Sequence, residues 1–179
     1  GRPVTLTMSR SDVLEATGPT SASYTKVKIG VTRDGKITAA QGYMIFEAGA
    51  YPGSPIGGAT ACMLTPYDIP NLALEGYDVV VNKPKTAAYR APGAPIGCLS
   101  VECVLDELSE MLGMDPMEFR LLNAAKEGTR RADGTSNPPI GAVEVMEAVR
   151  SHPHYNAPLE GKNRGRGVAV GFWRNNSGP

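Results

Sequence analysis

The sequence predicts an α+β fold, antiparallel strands with packed helices, and three observations carry that prediction. Residues 24–32 and 37–51 alternate apolar and polar side chains on either side of "RDGK", where Asp34-Gly35 is a strong hairpin signal. The run "PIGCLSVECVLDELSEMLG" places apolar residues at helical spacing over many turns. Strands and helices do not alternate along the chain, which separates this pattern from a doubly wound α/β sheet.

Each element follows in order. "PVTLTMS" alternates and reads as a strand, and "SRSDVLEA" as a short helical turn capped by Ser9 or Ser11. After the loop "TGPTSAS", "YTKVKIGVT" puts Tyr24, Lys26 and Lys28 on one side and Val27, Ile29 and Val31 on the other; "ITAAQGYMIFEAGAY" returns as its partner. The Gly- and Pro-rich stretch "PGSPIGGATACMLTPYDIPN" contains a short helix over 59–64, and "ALEGYDVVVNK" is another strand. In the long helix, Leu99, Val101, Val104, Leu105, Leu108, Met111 and Leu112 form one broad apolar face, stopped by Gly113. Asp115 caps the next helix, with Pro116 at its first position and Glu118 completing a capping box. A polar loop, "KEGTRRADGTSNPP", leads to a third helix, "GAVEVMEAVRSHP", ended by Pro153; the linker "NAPLEGKNRGR" and a final strand "GVAVGFW" close the order. Residues 1–84 are thus mainly strands, 85–152 a loop and helices, and 153–179 a linker and a strand. The N-terminus lacks an initiator Met and the chain stops at "RNNSGP" just after a strand-like run, so residues 1–179 read as a single excised fragment of a longer protein.

Composition narrows the function. Lys+Arg and Asp+Glu both number 18, so no net field draws the chain to nucleic acid or acidic lipid. No apolar run approaches the roughly 20 residues of a membrane span. The cysteines, Cys62, Cys98 and Cys103, are odd in number and form no CxxC, which suggests reduced thiols in a cytoplasmic protein rather than a disulfide framework or a zinc site. His152 and His154 flank Pro153 in a surface turn.

Chemistry-bearing motifs are few. GxSxG, HExxH, the P-loop and GxGxxG are all missing. "GSPIGGAT", Gly53 to Thr60, has the look of a phosphate cradle before a helix, but without a lysine a plain turn is the better reading. Glu102, Asp106, Glu107 and Glu110 share helical spacing and read as a solvated face rather than an acid–base pair. The unusual segment is "KTAAYRAPGAP", residues 85–95: one fixed cation among alanines, prolines and a glycine, directly before the long helix. Proline stiffens such a loop while glycine and alanine let another group approach its backbone. A plainer role also fits these residues, in which Arg90 pairs with a carboxylate and the loop caps the helix.

"TAAYRAPGAPIGCLSVECVLDELSEMLGMDPMEFRLLNAAKEG" resembles the molybdenum-binding subunit of the xanthine dehydrogenase and aldehyde oxidase family: an aromatic-Arg loop, a helix with a central Glu, then "LGMDPMEFRLLN". "GRPVTLTMSR", "KIGVTRDGKITA", "EAGAY", "YDIPN" and "GRGVAVGFW" occur in the family's order, so the resemblance covers nearly the whole chain. It implies a fragment from the molybdopterin-binding half of such a subunit.

The resemblance implies that the loop backbone approaches the molybdenum cofactor, with the main-chain N–H of Arg90 turned toward a metal-bound oxygen or the cofactor edge. Arg90 and Ala91 would bind cofactor and Pro92 would line the substrate pocket. The metal would be held by the pterin dithiolene, so no metal ligand is expected from this chain. The implied reaction is hydroxylation of an aldehyde or N-heterocycle with water as oxygen source. Electrons would pass to iron–sulfur clusters and FAD on partner subunits or domains. The family's general base and its Gly-Phe-Gly cofactor loop lie outside these residues, so no catalytic residue is expected here and the fragment alone should be inactive. Several positions depart from the pattern. Pro92 stands where many members have Phe, Ala91 where carbon monoxide dehydrogenases have Cys, and "GGATACMLTPYDIPN" lacks the arginine of purine-oxidising members. Xanthine and carbon monoxide are therefore disfavoured. A stand-alone, non-catalytic binding module derived from the family is the alternative.

Overall fold

In a computed structural model, which describes residues 1–173, three strands and six helices form two layers. α1 (Arg10–Ala16) is capped by Ser9, whose hydroxyl accepts from the Asp12 N–H while the Asp12 carboxylate takes the Ser9 N–H. This is the capping box, with Asp at its third position. β1 (Ser23–Val31) and β2 (Ile37–Gly49) pair antiparallel across the predicted turn, where the Thr32 N–H donates to Lys36 O at 2.9 Å. β1 turns Tyr24, Lys26 and Lys28 outward and half-buries Val27, Ile29 and Val31, as the alternation predicts.

β3 (Asn71–Val80) extends the sheet in the order β1-β2-β3 and runs parallel to β2. The antiparallel description therefore holds for the first pair only. A parallel third strand needs a crossover, and α2 (Ile56–Met63) supplies it between β2 and β3. α3 (Ala94–Leu112) packs beside α2 on the same face of the sheet. The two helices approach closely: a Cβ on Gly97 would come within 2.7 Å of Ala59 O. Met44, Phe46, Met63, Leu64, Val101, Leu105 and Phe119 are fully buried between the layers.

α4 (Pro116–Leu122) starts at Asp115, whose carboxylate accepts from the N–H groups of Met117 and Glu118. Asn123 then ties α4 to the hairpin, donating to Gly35 O and accepting from Ile37 N. α5 (Ala142–Ser151) and the single turn α6 (Pro153–Asn156) complete the order, and α5 packs with Met117 and Tyr155 around Met146. His152 caps α6 through Nδ1, so the two histidines do form a surface turn.

Two predicted strands are not formed. Residues 3–8 are unpaired, with Val4 and Leu6 exposed, and residues 167–173 carry no ladder. Alternation records which side chains want cover; pairing also needs a neighbouring edge. Residues 174–179 of the predicted linker-and-strand segment lie outside the described residues.

Candidate functional site

β1 begins, and β2 and β3 end, at one end of the sheet, and the unusual loop leaves from there. Its stem is pinned. The Val81 N–H donates to Gly49 O, Thr86 donates to Ala48 O through both N–H and hydroxyl, and the Ala87 N–H donates to Pro19 O. Lys85 Nζ bridges Gly53 O (2.9 Å) and Thr86 O (3.1 Å). The Asp78 carboxylate accepts the N–H groups of Gly53 (2.7 Å) and Ser54 (2.9 Å), and those donors hold its pKa below the ordinary value. The first amides of "GSPIGGAT" are therefore already satisfied within the chain; only residues 53–55 form a turn, and from Ile56 the stretch is the first part of α2.

Beyond Ala87 the loop is bare. Ala88, Tyr89 and Arg90 are exposed, and Ala91 has φ of 52°, a conformation costly for any residue but glycine. Pro92 and Gly93 then run hard against α2. A Cβ on Gly58 would lie 2.3 Å from Pro92 O, and one on Gly93 would lie 2.2 Å from Pro55 O. Both α2 and α3 start at this corner, so the positive ends of two helix dipoles face the loop. Among the described residues, the N–H groups of Arg90 and Ala91 donate to no backbone carbonyl, and the Arg90 guanidinium is in no ion pair. α3 takes Gly93 as its N-cap, without a side-chain cap, and Ala91 O accepts from Ala94 N. The plain reading is met in part: the loop does cap α3, while among the described residues Arg90 has no carboxylate partner. The arrangement fits a group bearing anionic oxygens: two free amides on a strained, immobilised turn beside two helix N-termini.

A second cluster was not anticipated. Glu102, read as part of a solvated face, is 6% exposed. Its carboxylate accepts from Arg120 Nε (2.8 Å), Val170 N (2.9 Å) and the Tyr67 hydroxyl. Arg120 is fully buried and reaches Asp106 at 2.7 Å. Burial pushes the Arg120 pKa down, and its pairing with Glu102 and Asp106 more than offsets that, leaving it raised. Burial, reinforced by Glu102, holds the Tyr67 hydroxyl well above its ordinary value. The signal was present in the sequence: Glu102 sits between Val101 and Leu105 on the apolar arc of α3. The cluster ties α3, α4 and two loops together, and its saturated bonding suits a structural role.

The model of the molybdopterin cofactor-binding domain matches residues 1–124. The chain is 31% identical over 153 residues to the nicotinate dehydrogenase large molybdopterin subunit of Eubacterium barkeri, covering 83% of this chain and 36% of that protein. It is 29% identical over 190 residues to the aldehyde oxidoreductase of Megalodesulfovibrio gigas, covering 97% of this chain but 20% of the relative. Its structure superposes on the aldehyde oxidoreductase from Desulfovibrio gigas with a TM-score of 0.73 at 28% identity, over 80% of this chain and 16% of the other. The chain therefore spans about a third or less of these relatives. With a family model matched from its first residue through α4, the chain belongs to the molybdopterin cofactor-binding domain family.

Proposed function

We propose that residues 1–179 form one part of the molybdopterin-binding domain of a molybdenum-dependent hydroxylase, and that the loop from Lys85 to Pro95 is one wall of its cofactor site. The observation that carries this reading is the corner where the free amides of Arg90 and Ala91 meet the starts of α2 and α3. When bound, a molybdopterin-type cofactor supplies hydroxylation of an aldehyde or N-heterocycle with water as the oxygen source. The contribution of this chain is to hold and orient. Arg90 and Ala91 present N–H donors at fixed positions, and preorganised donors stabilise charge without reorganising. Pro92, half-buried beside them, shapes the substrate side. Iron–sulfur and FAD groups belong on partner domains or subunits, and the 179 residues alone are expected to be inactive. No described helix is long and apolar enough to cross a membrane, and three cysteines outside any disulfide support placement in the cytoplasm.

The test separates backbone from side chain in the full-length parent. Arg90→Ala keeps the N–H, whereas Arg90→Pro deletes it. Arg90→Pro should lose on the order of 10²–10³ in turnover relative to Arg90→Ala, as for the loss of one preorganised donor. Molybdenum and pterin content are measured on both, so that loading and turnover are read separately. If Arg90→Ala is as inactive as Arg90→Pro at full loading, the guanidinium carries the role and the backbone account fails.

A further inference from the structure

The two edges of the sheet are built differently. The β1 edge carries Lys26 and Lys28, and its register shifts between Gly30 and Val31. It also lies against α3, where Ser100 Oγ donates to Thr25 Oγ1 at 2.9 Å. Lysines, irregular pairing and cover are the devices that keep an edge from recruiting another strand.

β3 carries no lysine, and its ladder stays in register from Asn71 to Val79, shifting only at its last residue, where Val80 lies opposite Gly49. In a parallel ladder alternate residues turn their N–H and C=O toward one neighbour, so half of the β3 backbone groups point away from β2. From Glu75 to Val80 every residue is exposed, on both faces of the strand. Tyr77 is 47% and Val80 51% exposed. The acidic residues do not guard this edge: Glu75 accepts from the Tyr77 hydroxyl, and Asp78 is turned to the Gly53 and Ser54 amides. A groove of about 380 Å³ adjoins the strand at Leu74 and Gly76, lined also by Thr60 of α2 and by residues 131–133. On the outer face an aromatic row crosses all three strands and ends at this edge, with the Tyr43 ring 6.5 Å from Tyr24 and 5.3 Å from Tyr77.

We infer that the edge from Glu75 to Val80 is a pairing edge, and that its occupant is a strand from the remainder of the parent polypeptide. Free main-chain donors and acceptors in a row select an extended segment. Tyr77 and Val79 on the outer face call for an apolar side chain beside them, prolonging the aromatic row. A second copy of β3 fits poorly. The strand holds two acids and no base, so a symmetric pair would bring like charges together across the new ladder. The relatives, spanned to 36% and 20% of their length, carry ample further chain to supply the strand. This inference is independent of the role given to Arg90.

Residue-resolved hydrogen exchange on the full-length parent, at two concentrations tenfold apart, tests it. Consecutive amides from Glu75 to Val80 should all exchange at least about 100-fold slower than unstructured amides at both concentrations. Outward amides of β1 serve as the unpaired reference. A photo-crosslinking residue replacing Val80 should join to a segment of the same polypeptide outside residues 1–179. Three results would overturn the inference: alternate amides of β3 exchanging freely, protection that falls on dilution, or a cross-link that is absent, intermolecular or confined to residues 1–179. The intermolecular result would assign the edge to a second copy.

Discussion

The two ends of α3 use the same residue in the same backbone region for different reasons. Gly93 opens the helix at φ of 83° and Gly113 closes it at φ of 65°. At the tail, an added Cβ would meet nothing within 4 Å, and the Gly113 and Met114 amides simply close the last turn onto Glu110 O and Ser109 O. At the head, a Cβ would lie 2.2 Å from Pro55 O and 2.8 Å from Ala59 N, backbone atoms with little room to yield. The tail glycine answers a local demand, that of a left-handed stop. The head glycine answers a tertiary one as well: it lets α3 dock on α2, and that docking fixes the turn that presents Arg90 and Ala91. A close approach of helices and the placement of the candidate cofactor loop thus depend on one missing methyl group.

Gly93→Ala should break the comparison most sharply. The left-handed conformation costs about 1–2 kcal/mol for an L-residue, and forcing a methyl group against backbone adds about 1–3 kcal/mol. A destabilisation of about 4 kcal/mol in urea unfolding is expected, with cofactor content falling in the full-length parent because the loop moves with the helix. Leu105→Ala comes next. Leu105 is fully buried between α3 and the sheet, so the variant should lose about 3 kcal/mol, within the usual range for such cavities. Because the cavity lies away from the loop, molybdenum loading should follow stability alone. Gly113→Ala should cost only about 1 kcal/mol, the conformational penalty without the clash. If Gly113→Ala and Gly93→Ala destabilise equally, the contrast between local and tertiary demand is wrong.

Much of this architecture was legible in the sequence, and the failures share a cause. The Asp34-Gly35 hairpin, the Asp115 cap and the long helix could be read because each rests on near neighbours in the chain. The direction of β3 could not, since a strand's own alternation is the same in either pairing direction. Residues 3–8 and 167–173 have strand-like alternation but no adjacent edge among the described residues. Periodicity also misplaced parts of α3: Leu99 and Met111, assigned to the apolar face, are 66% and 82% exposed, whereas Glu102 is buried. A face drawn wide enough to include every apolar residue overlooks a buried carboxylate whose partners, Tyr67 and Arg120, are distant in sequence. At the candidate site, Arg90, Ala91 and Pro92 stood out by composition, but the corner they belong to is made by α2, which sequence reading gave as a short helix over 59–64 with no link to the loop.

The smallest expected effect is at Glu110, and its size depends on position rather than chemistry. Glu110 and Glu102 are the same side chain on one helix, two turns apart. Glu102 accepts three hydrogen bonds in the core, whereas Glu110 is exposed in the last turn. Glu110→Ala keeps the backbone carbonyl that receives the Gly113 N–H, so the stop is intact. It introduces the best helix former and removes a negative charge from the negative end of the helix dipole. Both terms are favourable and small, so stability should change by less than about 0.5 kcal/mol, toward stabilisation. Urea unfolding beside Leu105→Ala gives the reading. Comparable losses at Glu110 and Leu105 would mean that the buried arc of α3 has been assigned to the wrong side of the helix.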